Sequence, residues 1–483
     1  MKYPKECTQG NKKLSDDNCK LAILRAAVDK VQEREGGKLL HTPAVQKIIE
    51  IVEKFLQNKG RVCYGGTAIN NILPTEFQFY HKDIELPDYD FFSPEPLKDA
   101  KALADIYAKE GFTEVEAKAG MHGGTFKVFV NFIPVADITY LPKELYNSIK
   151  KHAIAKKGIY YAPPDYLRMA MYLELSRPKG DTSRWEKVLK RLILLNKVYP
   201  LKGRDCGGIE VQRMFDQPGG FKEKKIFLIT RDSLINQGVV FFGGFANRLY
   251  LRHNKYFRDK KVLLVPDFDV LAEDPEQTAQ ILARNLKNAG IVKIKVVKRK
   301  PVGEIISEAY EVRANDETLV TIYEPLGCHS YNVIHKYNRS IKIATIDTML
   351  SFYLAFLYAD RDYYDPQRLL CMSEYLFDVQ HANSLSQTGI LRRFSIDCYG
   401  NQATLESMRK EKTELYKKYK QNRKSADYEW FFLRYVPSEK LLYKEEPKKK
   451  GKTKKKKKKK KKKKNRKRRS TRRRLPLELI TGL

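Results

Sequence analysis

The chain has 483 residues, enough for two to four domains, and its 42% hydrophobic and 11% aromatic content marks a globular protein with a sizeable core. Its formal net charge is +35; residues 448–474 hold 22 Lys and Arg and no acid, so 35 − 22 leaves +13 on the body. That surplus points to a polyanionic partner, nucleic acid before membrane, because no lipidation signal, no signal peptide and no apolar run near the roughly 20 residues of a membrane span accompanies it.

Apolar positions three and four apart predict amphipathic helices over residues 20–34 and 44–58, within a helical N-terminal segment of residues 1–60. A short strand, "RVCY", then meets Gly65-Gly66, and "TAINNIL" opens a helix with Thr67 at its start. "DAKALADIYAKEGF" reads as a helix stopped by Gly111, and "TFKVFVNF" and "VADITYL" as strands with alternating faces. Residues 164–199 read as helices broken near "RPKGD". The order predicts a mixed α/β (α+β) domain over residues 61–200.

The same order returns further along. "CYGGTAINNIL" matches "FFGGFANRLYL", and "LPDYDFF" matches "VPDFDVL". The spacing persists as well: Gly66 to Asp88 is 22 positions and Gly244 to Asp267 is 23. An internal duplication follows, with a second copy at 239–385 beyond a linker at 201–238. Residues 386–447 read as a basic helical extension, and 448–483 as a self-repelling, disordered polybasic tail. The seven cysteines (7, 19, 63, 206, 328, 371 and 398) are odd in number, scattered and without a C-x-x-C pair, which predicts reduced thiols in an intracellular setting.

The chemistry sits in the first copy. On a strand alternate side chains share a face, so Asp88 and Asp90 point together while Tyr89 enters the core. Two such carboxylates need a cation between them, and Mg²⁺, which takes carboxylates with substrate phosphate oxygens, suits that position. Asp137 in "VADITYL" offers a third carboxylate from an adjacent strand, and three together can hold the two metals of phosphoryl or nucleotidyl transfer. Gly65 and Gly66, between a strand and a helix start, let backbone N–H groups approach a phosphate, and Thr67 adds a hydroxyl.

In this order "YGGT", "PDYDF" and "ADI" resemble the hG[GS], h[DE]h[DE]h and h[DE]h pattern of nucleotidyltransferases of the DNA polymerase β superfamily, with 74–86 as an insertion. "YGGTAIN", "PDYDFFSP" and "VADITYLP", with "RW" and "KVYP" downstream, are similar to poly(A) polymerase catalytic subunits of large DNA viruses over roughly residues 40–385. The resemblance implies transfer of AMP from ATP to an RNA 3′ end with Mg²⁺ or Mn²⁺. By position Asp88, Asp90 and Asp137 would hold metal, and Asp137 would help activate the 3′-OH. Gly65, Gly66 and Thr67 would hold the triphosphate, with Arg184 and Lys187 completing its neutralisation. The implied partners are RNA and poly(A), with a second copy of the chain or a viral processivity/cap-methyltransferase subunit. The implied setting is the host cytoplasm or viral factory, or the virion.

The second copy keeps Gly243, Gly244, Asp267 and Asp269 but has Phe245 for Thr67, and sequence matching sets Cys328 against Asp137, with Glu324 nearby. Lacking the third carboxylate, it is expected to be a degenerate, inactive unit that serves RNA binding, packing or dimer contact. Uridylyl or CCA addition, and a non-catalytic RNA-binding scaffold, are the competing readings.

Overall fold

The computed structural model describes residues 4–9, 12–40, 42–80, 87–206, 221–254, 268–315, 317–336, 338–361 and 363–437. A small hairpin, β1 (Thr8–Gln9) and β2 (Lys12–Lys13), leads into α1 (Asp16–Leu40) and α2 (Pro43–Lys59). Pro43 suits the first turn of α2, where no backbone donor is lost, and Gly60 ends the helix in the left-handed region at φ 57°. The stripe Ile48, Ile51, Val52, Phe55 and Leu56 is buried.

The first unit continues with β3 (Val62–Cys63), α3 (Gly65–Ile72), β4 (Tyr89–Ser93), α4 (Pro96–Lys109), β5 (Val115–Ala119), β6 (Thr125–Val130) and β7 (Ile133–Tyr140). It closes with α5 (Lys143–Lys151), β8 (Ile154–Lys156), β9 (Ile159–Tyr161), α6 (Pro164–Leu175) and α7 (Trp185–Val198). The second unit runs α8 (Phe221–Asn236), β10 (Val240–Phe241), α9 (Gly244–Leu251), β11 (Phe268–Leu271), α10 (Pro275–Asn288), β12 (Ile294–Arg299), β13 (Ala309–Ala314) and β14 (Glu317–Tyr323). Then come β15 (His329–Lys336), β16 (Arg339–Ala344), α11 (Ile346–Phe356) and α12 (Pro366–Ala382), followed by β17 (Cys398–Tyr399), α13 (Leu405–Tyr419), α14 (Ala426–Phe432) and β18 (Arg434–Tyr435).

Each unit is built on a mixed eight-stranded sheet, ordered β18-β5-β6-β7-β4-β3-β9-β8 in the first and β12-β13-β14-β11-β10-β16-β15-β17 in the second. Seven positions correspond one to one. In both units the strand after the glycines' partner runs parallel to a later strand: β4 with β7, and β11 with β14. The helices correspond too, because α2 packs on β7 and β9 as α8 packs on β14 and β16. The stretch read as a linker therefore carries α8, and each repeat starts one helix earlier than its glycine motif suggests. A helix that buries one stripe against a sheet belongs to that sheet's layer.

The extension is less purely helical than its composition implies. β17 adds to the edge of the second sheet through Ser330↔Cys398, and β18 adds to the edge of the first through Arg434↔Lys118. Trp430 of α14 meets Phe126 and Tyr140 edge-on, at centroid distances of 5.8 and 5.3 Å. The polybasic tail lies outside the described residues.

The cysteines correct another expectation. Cys7–Cys19, Cys206–Cys371 and Cys328–Cys398 are disulfide-bonded, and buried Cys63 is the free thiol. Two of these pairs join positions 165 and 70 residues apart, so spacing along the chain carried no trace of them. Among the described residues no helix is long and apolar enough to cross a membrane.

Candidate active site

The first unit's site begins with hydrophobic anchoring of β4. Tyr89, Phe91 and Phe92 are 2% exposed or less, and burial of each such ring contributes roughly 1.5–3 kcal/mol. Tyr89 also donates to Glu53 of α2 at 2.5 Å. With Tyr89 and Phe91 fixed on one face, Asp90 is held on the other, beside buried Phe92. Across the parallel ladder it stands directly beside Asp137 of β7, and Asp137 stands beside Lys127 of β6.

The carboxylates are electrostatically coupled. Asp88 is pushed up to about 6 by burial, then by Asp137, against the pull of Lys127. Asp90 rises well above the usual carboxylate range, first by burial and then through Asp88 and Asp137, while Lys127 and Arg184 oppose the rise. Lys127 Nζ makes a close ion pair with Asp137. Three carboxylates thus share one low-dielectric corner with too little positive charge.

The glycines sit against this corner. Gly65 starts α3 at φ 73°, and a Cβ there would come within 2.5 Å of Asp90 Oδ2. Only glycine tolerates both the left-handed backbone and that approach. Tyr64 N–H donates to the Asp90 carbonyl at 2.9 Å, locking strand to turn. Thr67 is buried, and its hydroxyl donates to the Asp88 carbonyl at 2.6 Å. Its hydrogen bond ties the start of α3 to the aspartate strand.

Of the two cations chosen from sequence, Arg184 reaches the site. It lies 3.4 Å from Glu174 and favours the charged form of Asp90. Lys187 is exposed on α7. Sequence reasoning missed Arg191, one turn beyond: a Cβ on Gly66 would meet its guanidinium at 2.9 Å. Arg191 donates to Tyr80 Oη at 2.6 Å, packs 4.9 Å from the Phe79 ring and is 5% exposed. The backbone N–H groups of Phe79 and Tyr80 both donate to Asn70 Oδ1 of α3. The insertion therefore begins as a clamp that holds Arg191 behind the glycines. The spacing 184, 187, 191 on one helical face was the available signal.

The second unit repeats the frame with a different set of side chains. Phe242 N–H donates to the Asp269 carbonyl at 3.0 Å, as Tyr64 does to Asp90. Phe245, in place of Thr67, packs on Phe241 and Phe268. Asp269, however, stands beside Thr321, and Thr321 beside Glu311. The counterpart of Asp137 is therefore Thr321, not Cys328, which lies disulfide-bonded beyond the strand. Glu324 falls three positions past Thr321, on the wrong side of the alternation. The third carboxylate is absent here, but at a different residue. Asp267 lies outside the described residues.

Comparison with known proteins follows the same geometry. The family model described as poly(A) polymerase catalytic subunit matches residues 50–181, which contain both glycines and all three aspartates. A protein of African swine fever virus named as a poly(A) polymerase catalytic subunit is 31% identical over 212 residues, 43% of each chain. One of Acanthamoeba polyphaga mimivirus with the same name is 26% identical over 330 residues, covering 61% of this chain and 54% of its own. The chain thus spans about half the length of these curated relatives. The crystal structure of the Megavirus polyadenylate synthase superposes with a TM-score of 0.73 at 20% identity, over 91% of this chain and 89% of that one. The fold described above is shared with that structure.

Proposed function

We propose that the chain is a template-independent nucleotidyltransferase that moves AMP from ATP to an RNA 3′-OH, building poly(A). The observation that carries this reading is the row Asp90–Asp137 across β4 and β7, with Asp88 two residues back and the Gly65-Gly66 helix start alongside.

The donor set suits Mg²⁺ or Mn²⁺. Buried carboxylates that raise one another's proton affinity are short of a cation. Among the described residues no group of three or more His, Cys, Asp or Glu forms a ready-made metal cage. A divalent ion that takes one or two carboxylates together with waters and substrate phosphates needs none. Asp88, Asp90 and Asp137 would hold it, and when bound it supplies the positive charge that lowers the pKa of the attacking hydroxyl and steadies the leaving oxygen.

The chain's own groups do the rest. The N–H groups at the start of α3 and the Arg184 guanidinium would orient the triphosphate and offset its charge, and Arg191, packed behind Gly66, adds positive charge to the same helix start. The 3′-oxygen forms a bond to the α-phosphorus, the bridging P–O bond breaks and pyrophosphate leaves. The hydroxyl proton is drawn toward the Asp137 carboxylate. RNA is supported as acceptor by the basic body, and the name catalytic subunit borne by the viral relatives supports a further subunit or a second copy as partner. Extension of a short RNA primer with each nucleoside triphosphate and Mg²⁺ tests the reading. ATP-selective lengthening is expected; selective use of UTP or CTP assigns another terminal transferase, and no extension with any of the four returns the chain to a scaffold.

A further inference from the structure

The second unit, though it lacks the third carboxylate, keeps a cavity where the first unit does its chemistry. A volume of about 80 Å³ opens beside Gly244, Asp269 and Thr321. At about 10–15 Å³ per water this gives roughly five or more water-sized positions, room for a phosphate group and part of its sugar. The charged groups lining it are Asp269, Arg299, Lys300, Glu311, Arg313 and Arg368, four cations against two carboxylates.

The exchange of residues across the ladder created this balance. Where the first unit has Lys127 beside Asp137, the second has Glu311 beside Thr321. Glu311 is engaged on both oxygens: Arg299 donates to Oε1 at 2.7 Å and Oε2 at 3.0 Å, and Arg313 Nε donates to Oε2 at 2.8 Å. Two guanidinium groups sharing one carboxylate keep a net positive charge and further N–H donors. Ser307, 4% exposed, also lines the cavity, and its hydroxyl has no hydrogen-bond partner among the described residues. An unsatisfied buried hydroxyl costs stability unless something meets it.

The surroundings suit a nucleotide. Arg299 lies 5.2 Å from the Tyr363 ring, which is 37% exposed and packs 4.5 Å from Tyr364. Phe356 and Tyr364 also line a larger cleft of about 680 Å³ between the units. An open cleft lets the rest of a ligand continue outward from the small cavity.

We propose that this cavity is a non-catalytic site for the phosphate of a ribonucleotide, bound by the Arg299, Arg313, Lys300 and Arg368 charges with Ser307 donating to it. Choosing a nucleotide among phosphate esters rests on the proposed activity of the first unit. The source is free ATP or an adenylate within the RNA, which share this chemistry.

The test uses the full chain in buffer with EDTA, which withholds metal from the carboxylates of the first unit. Equilibrium dialysis at about 150 mM salt measures binding of ATP and of an adenylate trinucleotide to wild type, to the Lys300→Ala/Arg368→Ala double variant and to Ser307→Val. The double variant spares both partners of Glu311, and thermal melts confirm that each variant folds. Loss of ATP affinity of about tenfold or more in the variants identifies free nucleotide as the ligand. The same loss confined to the trinucleotide identifies RNA. Unchanged affinity for both, or no binding by wild type, overturns the site. Primer extension with ATP and Mg²⁺ is run in parallel. Its failure in wild type would sink the transferase reading while the dialysis result stands, whereas normal extension by the variants beside unchanged binding sinks this site alone.

Discussion

Asp137 and Thr321 occupy the same place in two copies of one sheet, and the difference between them separates the proposed transferase site from its counterpart. Asp137→Ala should lower AMP addition on the order of 10³-fold or more with primer binding retained, whereas Thr321→Ala should leave the rate within about twofold; single-turnover extension and a binding titration on each variant check this. Gly65→Ala is a sharper probe of geometry. The added methyl meets Asp90 directly, and the residue must hold φ 73°. The expected result is a variant that loses extension and melts lower, by about 1–3 kcal/mol. The three aspartates were legible from sequence because each is flanked by apolar residues that fix its face. Thr321 was not, because matching motif order alone left the register of the third strand unpinned, and an odd shift along it exchanges the two faces. The seven-residue slip from 321 to 328 followed from that.

At the scale of elements, α7 sets Arg191 against the start of α3. Arg191 is buried and clamped by Tyr80, so Arg191→Lys keeps a charge but loses the planar fork. The expected outcome is a rise in the KM for ATP of about tenfold or more, with a lower melting temperature from the lost Tyr80 and Phe79 contacts, measured by steady-state extension against ATP concentration and by thermal melts. Glu174, where α6 meets Arg184, is pushed up to about 7 by burial, with Arg184 opposing the rise and Asp181 adding to it. Its unfolded value is 4.5, so the folded chain binds the extra proton between these values. Stability from this group therefore falls as pH rises from 4.5 to 7 and stays low above. Glu174→Gln should match wild type near pH 4.5 and exceed it at pH 8 by about 2 kcal/mol, after allowing for the lost Arg184 pair. Thermal melts across that range decide it. The clamp on Arg191 was hidden because it depends on Asn70 and Phe79 meeting in space, while the helix that carries it was plain from its periodicity.

For the whole molecule, the duplication was readable from motif order, but its extent was not. α8 has the same seat as α2, yet its sequence carries no glycine or aspartate signature to flag the match. The basic tail makes its own prediction. Deleting residues 448–483 removes 22 cations, and if they touch RNA the slope of log affinity against log salt becomes shallower. Primer binding over a salt series reads this directly, and an unchanged slope assigns affinity to the body alone.

The short strands of the C-terminal extension also set an order of events during synthesis. β18 pairs with β5 across more than 300 residues of sequence, through Arg434↔Lys118, and β17 closes the far edge of the second sheet. Until residues 398–435 leave the ribosome, each sheet has a bare edge that can pair with another chain. The first unit, made before the second, is thus sealed after it, and a chain stopped before Arg434 should self-associate through β5.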